Sequence, residues 1–320
     1  MTRLVWSLVL ALAFPALARP NHRAEAQAVI DQFLSGRMGV NQAANRLSYL
    51  GEAGFASEEL INAQRRTTDP KMLAAILEVL VALGVASEDT ERAFLRAMET
   101  DDVSTRITAM RGLGKVKSAR SATKLIEQLD AKQPVVRREA AKALGQIGSP
   151  KAGAPLMKAA KVEEDLETRL AMVVAVGRSG DKKQAASLEV LLKGDSETTR
   201  LAAAQALCLL GAKAGATYAA KLLASAQPIE RLQGVLLFEG ASAKVAGPVL
   251  KGALGDADHR VRATAARVLA EGGDQTKVTW LVLESAQAVG EDRLPYEDQL
   301  EKLRLSDEAR HDILKKAGLK

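Results

Sequence analysis

Cysteine is nearly absent: Cys208 stands alone in 320 residues. One thiol excludes an intrachain disulfide framework and any cysteine-rich zinc site. Histidine is almost as scarce, with His22, His259 and His311 far apart and in no H-E-x-x-H or comparable pattern. Aromatic residues make up only 3% of the chain, although 47% is hydrophobic. A core with so few rings must be built from Ala, Leu and Val, which favours closely packed helices over a sandwich or barrel. Charged residues at 26% exclude a disordered chain, and after the first residues no apolar run is long enough to cross a bilayer.

The catalytic motifs are missing too. There is no G-x-S-x-G and no Walker loop. Cys208, within Leu207-Cys208-Leu209-Leu210, reads as a small buried apolar residue rather than a nucleophile. The run Glu163-Glu164-Asp165 reads as loop charge, because a general acid needs a desolvated pocket. The expectation is a protein that is not an enzyme, with no catalytic residue, no cofactor and no metal.

Residues 1–18 carry a basic start at Arg3, an apolar run from Leu4 to about Phe14, Pro15, and Ala16-Leu17-Ala18. A charged start, a short apolar stretch and a small-x-small end form the pattern of a secretory signal peptide. Cleavage would leave residues 19–320 and, with Arg3 lost, lower the formal charge from +6 to +5. The expected location is periplasmic or secreted.

Self-similarity is the strongest signal present. Arg106, Arg137, Arg169, Arg200, Arg231 and Arg262 follow one another at steps of 31, 32, 31, 31 and 31. An earlier copy starts at Asp69-Pro70, with Leu73 in the arginine position. Three residues after each arginine comes a mostly small residue: Ala109, Ala140, Met172, Ala203, Gly234, Ala265. Seven after comes Leu113, Leu144, Val176, Leu207, Phe238 or Leu269. Positions i, i+3 and i+7 share one helical face, so each copy opens with a short amphipathic helix. Gly84, Gly148, Gly180, Gly211 and Gly273 end several copies, where glycine supplies the left-handed turn that stops a helix. A second helix follows, with Leu125, Leu156, Leu188, Ala219, Leu250 and Leu281 at one equivalent position.

This unit resembles the HEAT-like repeat family in its short form, whose pattern is roughly Asp-x-x-Val-Arg-x-x-Ala-x-x-Ala-Leu-Gly. The clearest copies run from Pro134 to Gly148 and from Asp258 to Leu269. The resemblance implies an all-α fold: an α-solenoid, a right-handed superhelix of about seven repeats over 67–285, closed by helical caps. Residues 19–66 form the N-terminal cap, with a degenerate unit suggested at 40–66, and 286–320 form the C-terminal cap. The fifth unit, near 225–254, departs most from the pattern.

The resemblance also implies that the six arginines form a structural ladder with acidic residues of neighbouring units. Asp102, Asp165 and Asp258 lie four residues before an arginine, while Gln133, Ser196 and Gln227 interrupt the series. The second helices imply a concave surface on which partners sit. One register position there reads Lys124, Pro155, Ser187, Tyr218, Val249, Trp280. Lys124, Tyr218 and Trp280 are the candidate partner-binding groove, with ordinary helix packing the competing reading for the two rings.

Basic residues gather on the turns and second helices, among them Lys115, Lys117, Arg120, Lys151, Lys158, Lys182 and Lys183. They read first as a solvated face, and alternatively as a stripe for anionic envelope polymer. Nucleic acid is not expected without interleaved aromatics. The functional expectation is an exported scaffold or adaptor that grips a protein or peptide without covalent chemistry. The alternative is a bilin-lyase-like enzyme or accessory protein, since some HEAT-like relatives attach chromophores.

Overall fold

The computed structural model describes residues 22–319, so the signal-peptide segment 1–18 lies outside the described residues. Nineteen α-helices and several 3-10 turns, with no strand, make up the described part. It divides into two compact units, one up to Gly112 and one from Leu113 onward.

The first unit holds α1 (His22–Leu34), α2 (Val40–Tyr49), α3 (Ala53–Arg66), α4 (Pro70–Leu83) and α5 (Glu88–Ala97). The boundary falls within α6 (Val103–Lys115). Phe33, Leu47, Leu60, Ile76, Leu80 and Phe94 form its core, each almost fully buried. Gly112 has to be glycine: a Cβ there would lie 2.4 Å from the Phe94 ring.

The second unit continues in helix pairs. These are α7 (Ala122–Glu127), α8 (Pro134–Ile147) with α9 (Gly153–Val162), and α10 (Leu166–Ser179) with α11 (Ala185–Leu191). Then come α12 (Glu197–Leu209) with α13 (Lys213–Leu223), α14 (Pro228–Leu236) with α15 (Ala243–Leu250), and α16 (His259–Glu271) with α17 (Thr276–Gln287). The chain ends in α18 (Leu294–Lys302) and α19 (Asp307–Lys316). This alternation of first and second helices is an α-solenoid.

The register residues explain why the pairs stack. Every residue seven after an arginine, from Leu113 to Leu269, is buried to 3% exposure or less. Leu125, Leu156, Leu188, Ala219, Leu250 and Leu281, the matching line of the second helices, are fully buried. A single pair cannot cover both lines, so each repeat covers its neighbour's.

Small residues then set how close the first helices come. Gly114, Gly145 and Gly177, each eight after an arginine, face the backbone of Ala143, Ala175 and Ala206 in the following first helix. Cβ atoms at these three positions would lie 3.0, 3.3 and 2.4 Å from the respective Cα atoms. Cys208 holds the same position in the next copy and is 1% exposed. Burial pushes its thiol up to about 12, so it packs as an apolar group.

Helix ends follow the local sequence. Gly84, Gly148, Gly180, Gly211 and Gly273 all take positive φ, between 65° and 111°. In the copy that carries Arg106, Lys117 stands at that position and adopts φ 52°. The fifth copy is irregular: α14 has nine residues, and Pro248 lies inside the eight-residue α15. Its entry is tied to the next copy by a bond from the Ala243 amide to the Gly272 carbonyl, 2.8 Å.

Candidate functional site

The register arginines act first on their own repeats. Arg137 Nη1 donates to the carbonyls of Ala131 and Lys132 at 2.8 and 3.0 Å. Arg200 does the same to Gly194 and Asp195, at 2.8 and 2.7 Å, and Arg231 to Ser225 and Ala226, at 3.1 and 3.0 Å. Arg262 reaches Asp256 and Ala257, and Arg169 reaches Glu163 at 3.4 Å. The acceptors lie six and five residues upstream, or six alone for Arg169, in the loop that enters the helix. The arginine ties that loop down through main-chain oxygen, supplying a charged donor to carbonyls that no helix or strand pairs.

The position four before the arginine does something else. Asp165, Ser196 and Asp258 are N-caps whose side chains accept from the Thr168, Thr199 and Arg260 amides. Asp102 accepts from the Thr105 amide at 2.6 Å. Gln133 and Gln227 make no such bond and are followed by Pro134 and Pro228 at the first helical position, where a missing N–H is no loss.

The carboxylates that meet arginine lie two residues earlier. Glu163 takes Arg137 in a two-point fork, Nε at 2.6 Å and Nη2 at 2.7 Å, and also accepts from the Asp165 amide. Asp256 repeats the arrangement with Arg231 at 2.7 and 2.8 Å and with the Asp258 amide. The arginine hydrogen bond holds each carboxyl below its ordinary range. Hydrogen bonding from Arg260 brings Asp258 down to about 2.

Arg262 turns its fork to the C-terminal helices instead. Its Nε donates to the Tyr296 hydroxyl at 3.0 Å, and Nη2 lies 2.6 Å from His259 Nδ1. Since Arg262 can only donate, His259 Nδ1 accepts, which leaves its proton on Nε2, facing Asp292 at 3.5 Å. Tyr296 is 1% exposed, and burial raises its hydroxyl. Trp280 stacks edge-on against it, with ring centroids 6.2 Å apart.

The three groove positions therefore sit in different surroundings. Lys124 is exposed on α7. Tyr218 is half-buried on α13, packed against the hydrophobic cluster that includes Leu250 and Phe238. Trp280 is half-buried on α17 beneath the C-terminal helices. Ser187, at the same register position on α11, lines an apolar pocket of about 300 Å³ between α9 and α11. The pocket also takes in Arg169, Met157, Val173 and Leu191. Val162 and Val190, on the same two second helices, are 79% and 68% exposed.

Other features escaped the sequence. Arg267, 6% exposed, joins Glu239 at 3.0 Å, Glu271 at 2.6 Å and Gln299 at 2.7 Å. Arg111 and Lys142, at the same register position, are exposed, so nothing in the spacing reveals the burial of Arg267 or its partners. No cluster of three metal-ligating side chains occurs among the described residues. None of their helices is long and apolar enough to cross a membrane.

With helix pairs, stacking lines and arginine loops in register, the described chain has the architecture of an α-solenoid. A family model described as HEAT repeats matches residues 122–208. No curated protein matches the sequence. Among solved structures, the complex of CpcE and CpcF of phycocyanin lyase from Nostoc sp. PCC7120 is similar at TM-score 0.53. Identity is 18%, over 77% of this chain and 94% of that one. Human deoxyhypusine hydroxylase in complex with glycerol is looser, at TM-score 0.35 and 21% identity, over 78% of this chain and 98% of that one. An engineered protein matches over 94% of this chain and 92% of its own, at TM-score 0.44 and 16% identity.

These likenesses correct one expectation. The missing catalytic motifs pointed to a protein that is not an enzyme. The neighbours include components of a lyase on this fold, so that exclusion does not stand. A motif search tests only for chemistry carried by known compact sites, so its empty result excludes no activity.

Proposed function

We propose that this protein is a binding scaffold that holds a protein partner along the second helices of its larger unit. The observation that carries the reading is the exposure of Val162 and Val190 on successive second helices, beside an apolar pocket. Apolar side chains gathered on one face are a favourable place for a partner to exclude water. Lys124, Tyr218 and Trp280 extend the proposed contact line along the same layer, and Trp280 contributes there through its packing with Tyr296. In this reading the arginine series is structural, Arg137, Arg169, Arg200, Arg231 and Arg262 each holding an entry loop. The leader pattern at residues 1–18 supports export to the periplasm or beyond.

A photo-crosslinker at position 190, activated in intact cells, tests the reading. One partner recovered reproducibly, and lost with Tyr218→Ser at unchanged melting temperature, supports it. Capture that is indifferent to Tyr218→Ser and Val190→Asp refutes it.

The second reading is a lyase-like role on a tetrapyrrole, favoured by the fold shared with the phycocyanin lyase subunits. Purified protein mixed with a bilin would then show a shifted visible band. An unchanged spectrum removes this reading and leaves the first intact.

A further inference from the structure

The repeats serve as their own comparison set. Arg137 and Arg231 each present a fork, Nε and Nη2, that a carboxylate fills. Those carboxylates, Glu163 and Asp256, lie six residues before the next register arginine. For Arg169, the equivalent position is Gly194, six before Arg200, and glycine has no carboxylate to offer. The one hydrogen bond of the Arg169 side chain goes from Nη1 to the Glu163 carbonyl, so its Nε and Nη2 have no protein partner. It makes no ion pair either.

That unfilled fork does not simply face open water. Arg169 lines the pocket of about 300 Å³ whose walls include Met157, Val173 and Leu191. Met157 and Val173 are nearly fully buried, so the walls are held by the core. Lys161 adds a second cation to the lining, and no carboxylate belongs to it. A pocket of this size lies at the lower end of the range for small-molecule sites, which pair apolar walls with a few placed polar groups.

We propose that this pocket binds a small monocarboxylate with an unbranched apolar tail. The carboxylate would accept from Arg169 Nε and Nη2, where Glu163 accepts from Arg137 and Asp256 from Arg231. The tail would lie along Met157, Val173 and Leu191. Two parallel bonds from a guanidinium to a carboxylate combine charge with fixed geometry. Apolar burial supplies the rest. The site does not depend on the protein-partner reading, since the ligand is small and enters one pocket.

The full-length protein is titrated calorimetrically with decanoate, 1-decanol and acetate. One equivalent of decanoate binds, and 1-decanol and acetate each bind at least about tenfold more weakly. Arg169→Gln costs a similar factor. Arg200→Gln leaves affinity unchanged, because Arg200 also lacks a carboxylate but does not line the pocket. Gly194→Glu supplies the missing internal carboxylate, so it abolishes decanoate binding and raises the melting temperature. That variant keeps the test decisive should Arg169→Gln fold poorly. Equal binding of 1-decanol overturns the proposal, as does decanoate binding unaffected by both Arg169→Gln and Gly194→Glu. No saturable decanoate binding up to millimolar concentration overturns it too, including the case where only an acidic peptide binds.

Discussion

Gly177 on α10 meets the backbone of Ala206 on α12 so closely that a Cβ at 177 would lie 2.4 Å from the Ala206 Cα. The obstruction is main chain, which cannot swing aside. Gly177→Ala must therefore push two first helices apart along a line of fully buried side chains. The expected loss is about 1–3 kcal/mol in denaturant unfolding, as for other overpacked cores. Gly247→Ala, with nothing near its Cβ direction, should show no such overpacking loss.

Glu163 links acid stability to one ion pair. Its side chain is 2% exposed, and the Arg137 hydrogen bond holds its pKa below the usual range. A carboxyl depressed in the folded state stabilises above its unfolded pKa of about 4 and loses that effect as pH falls through the folded value. Asp256 and Asp258 act in the same direction. Melting temperature should hold between pH 7 and 5 and decline below about pH 4. Glu163→Gln should cost about 2 kcal/mol at pH 7 and make the acid decline shallower.

Lys117 carries a backbone conformation that its counterparts in five other copies give to glycine. At φ 52° it bears the left-handed strain of a side chain with a Cβ. Lys117→Gly relieves that strain and gives back part of the gain as unfolded-chain entropy. The net expectation is a stabilisation of about 0.5–1 kcal/mol, read as a higher midpoint in urea.

Tyr296 anchors the C-terminal helices through its hydroxyl. Tyr296→Phe keeps the ring against Trp280 but removes the acceptor of Arg262 Nε. A loss of about 1–2 kcal/mol is expected. Limited proteolysis should then cut between 288 and 319 sooner than in the parent protein.

Periodic features were readable in advance because burial imposes them on every copy. The stacking residues from Leu113 to Leu269 had to be apolar at one spacing, and the helix-ending glycines had to tolerate positive φ. The targets of the arginines were not readable. Main-chain carbonyls leave no mark in a sequence, so Asp165 and Asp258 seemed the natural partners, whereas both cap helices. Glu163 was visible but read as loop charge. Its role emerges only when the position six before each arginine is compared, where Glu163 and Asp256 contrast with Gly194. The surroundings of Trp280 were hidden for another reason: Tyr296 comes from the cap, outside the repeat register.

The grip of a register arginine on its own entry loop is through carbonyl oxygen, which is indifferent to the side chain of the residue gripped five before it. Lys132, Asp195, Ala226 and Ala257 occupy the same gripped position and share no chemistry. The loops are thus anchored by shape and left open in sequence, like terminals wired to a common rail. New recognition segments could be written into them one at a time, with the helices behind each terminal left as they are.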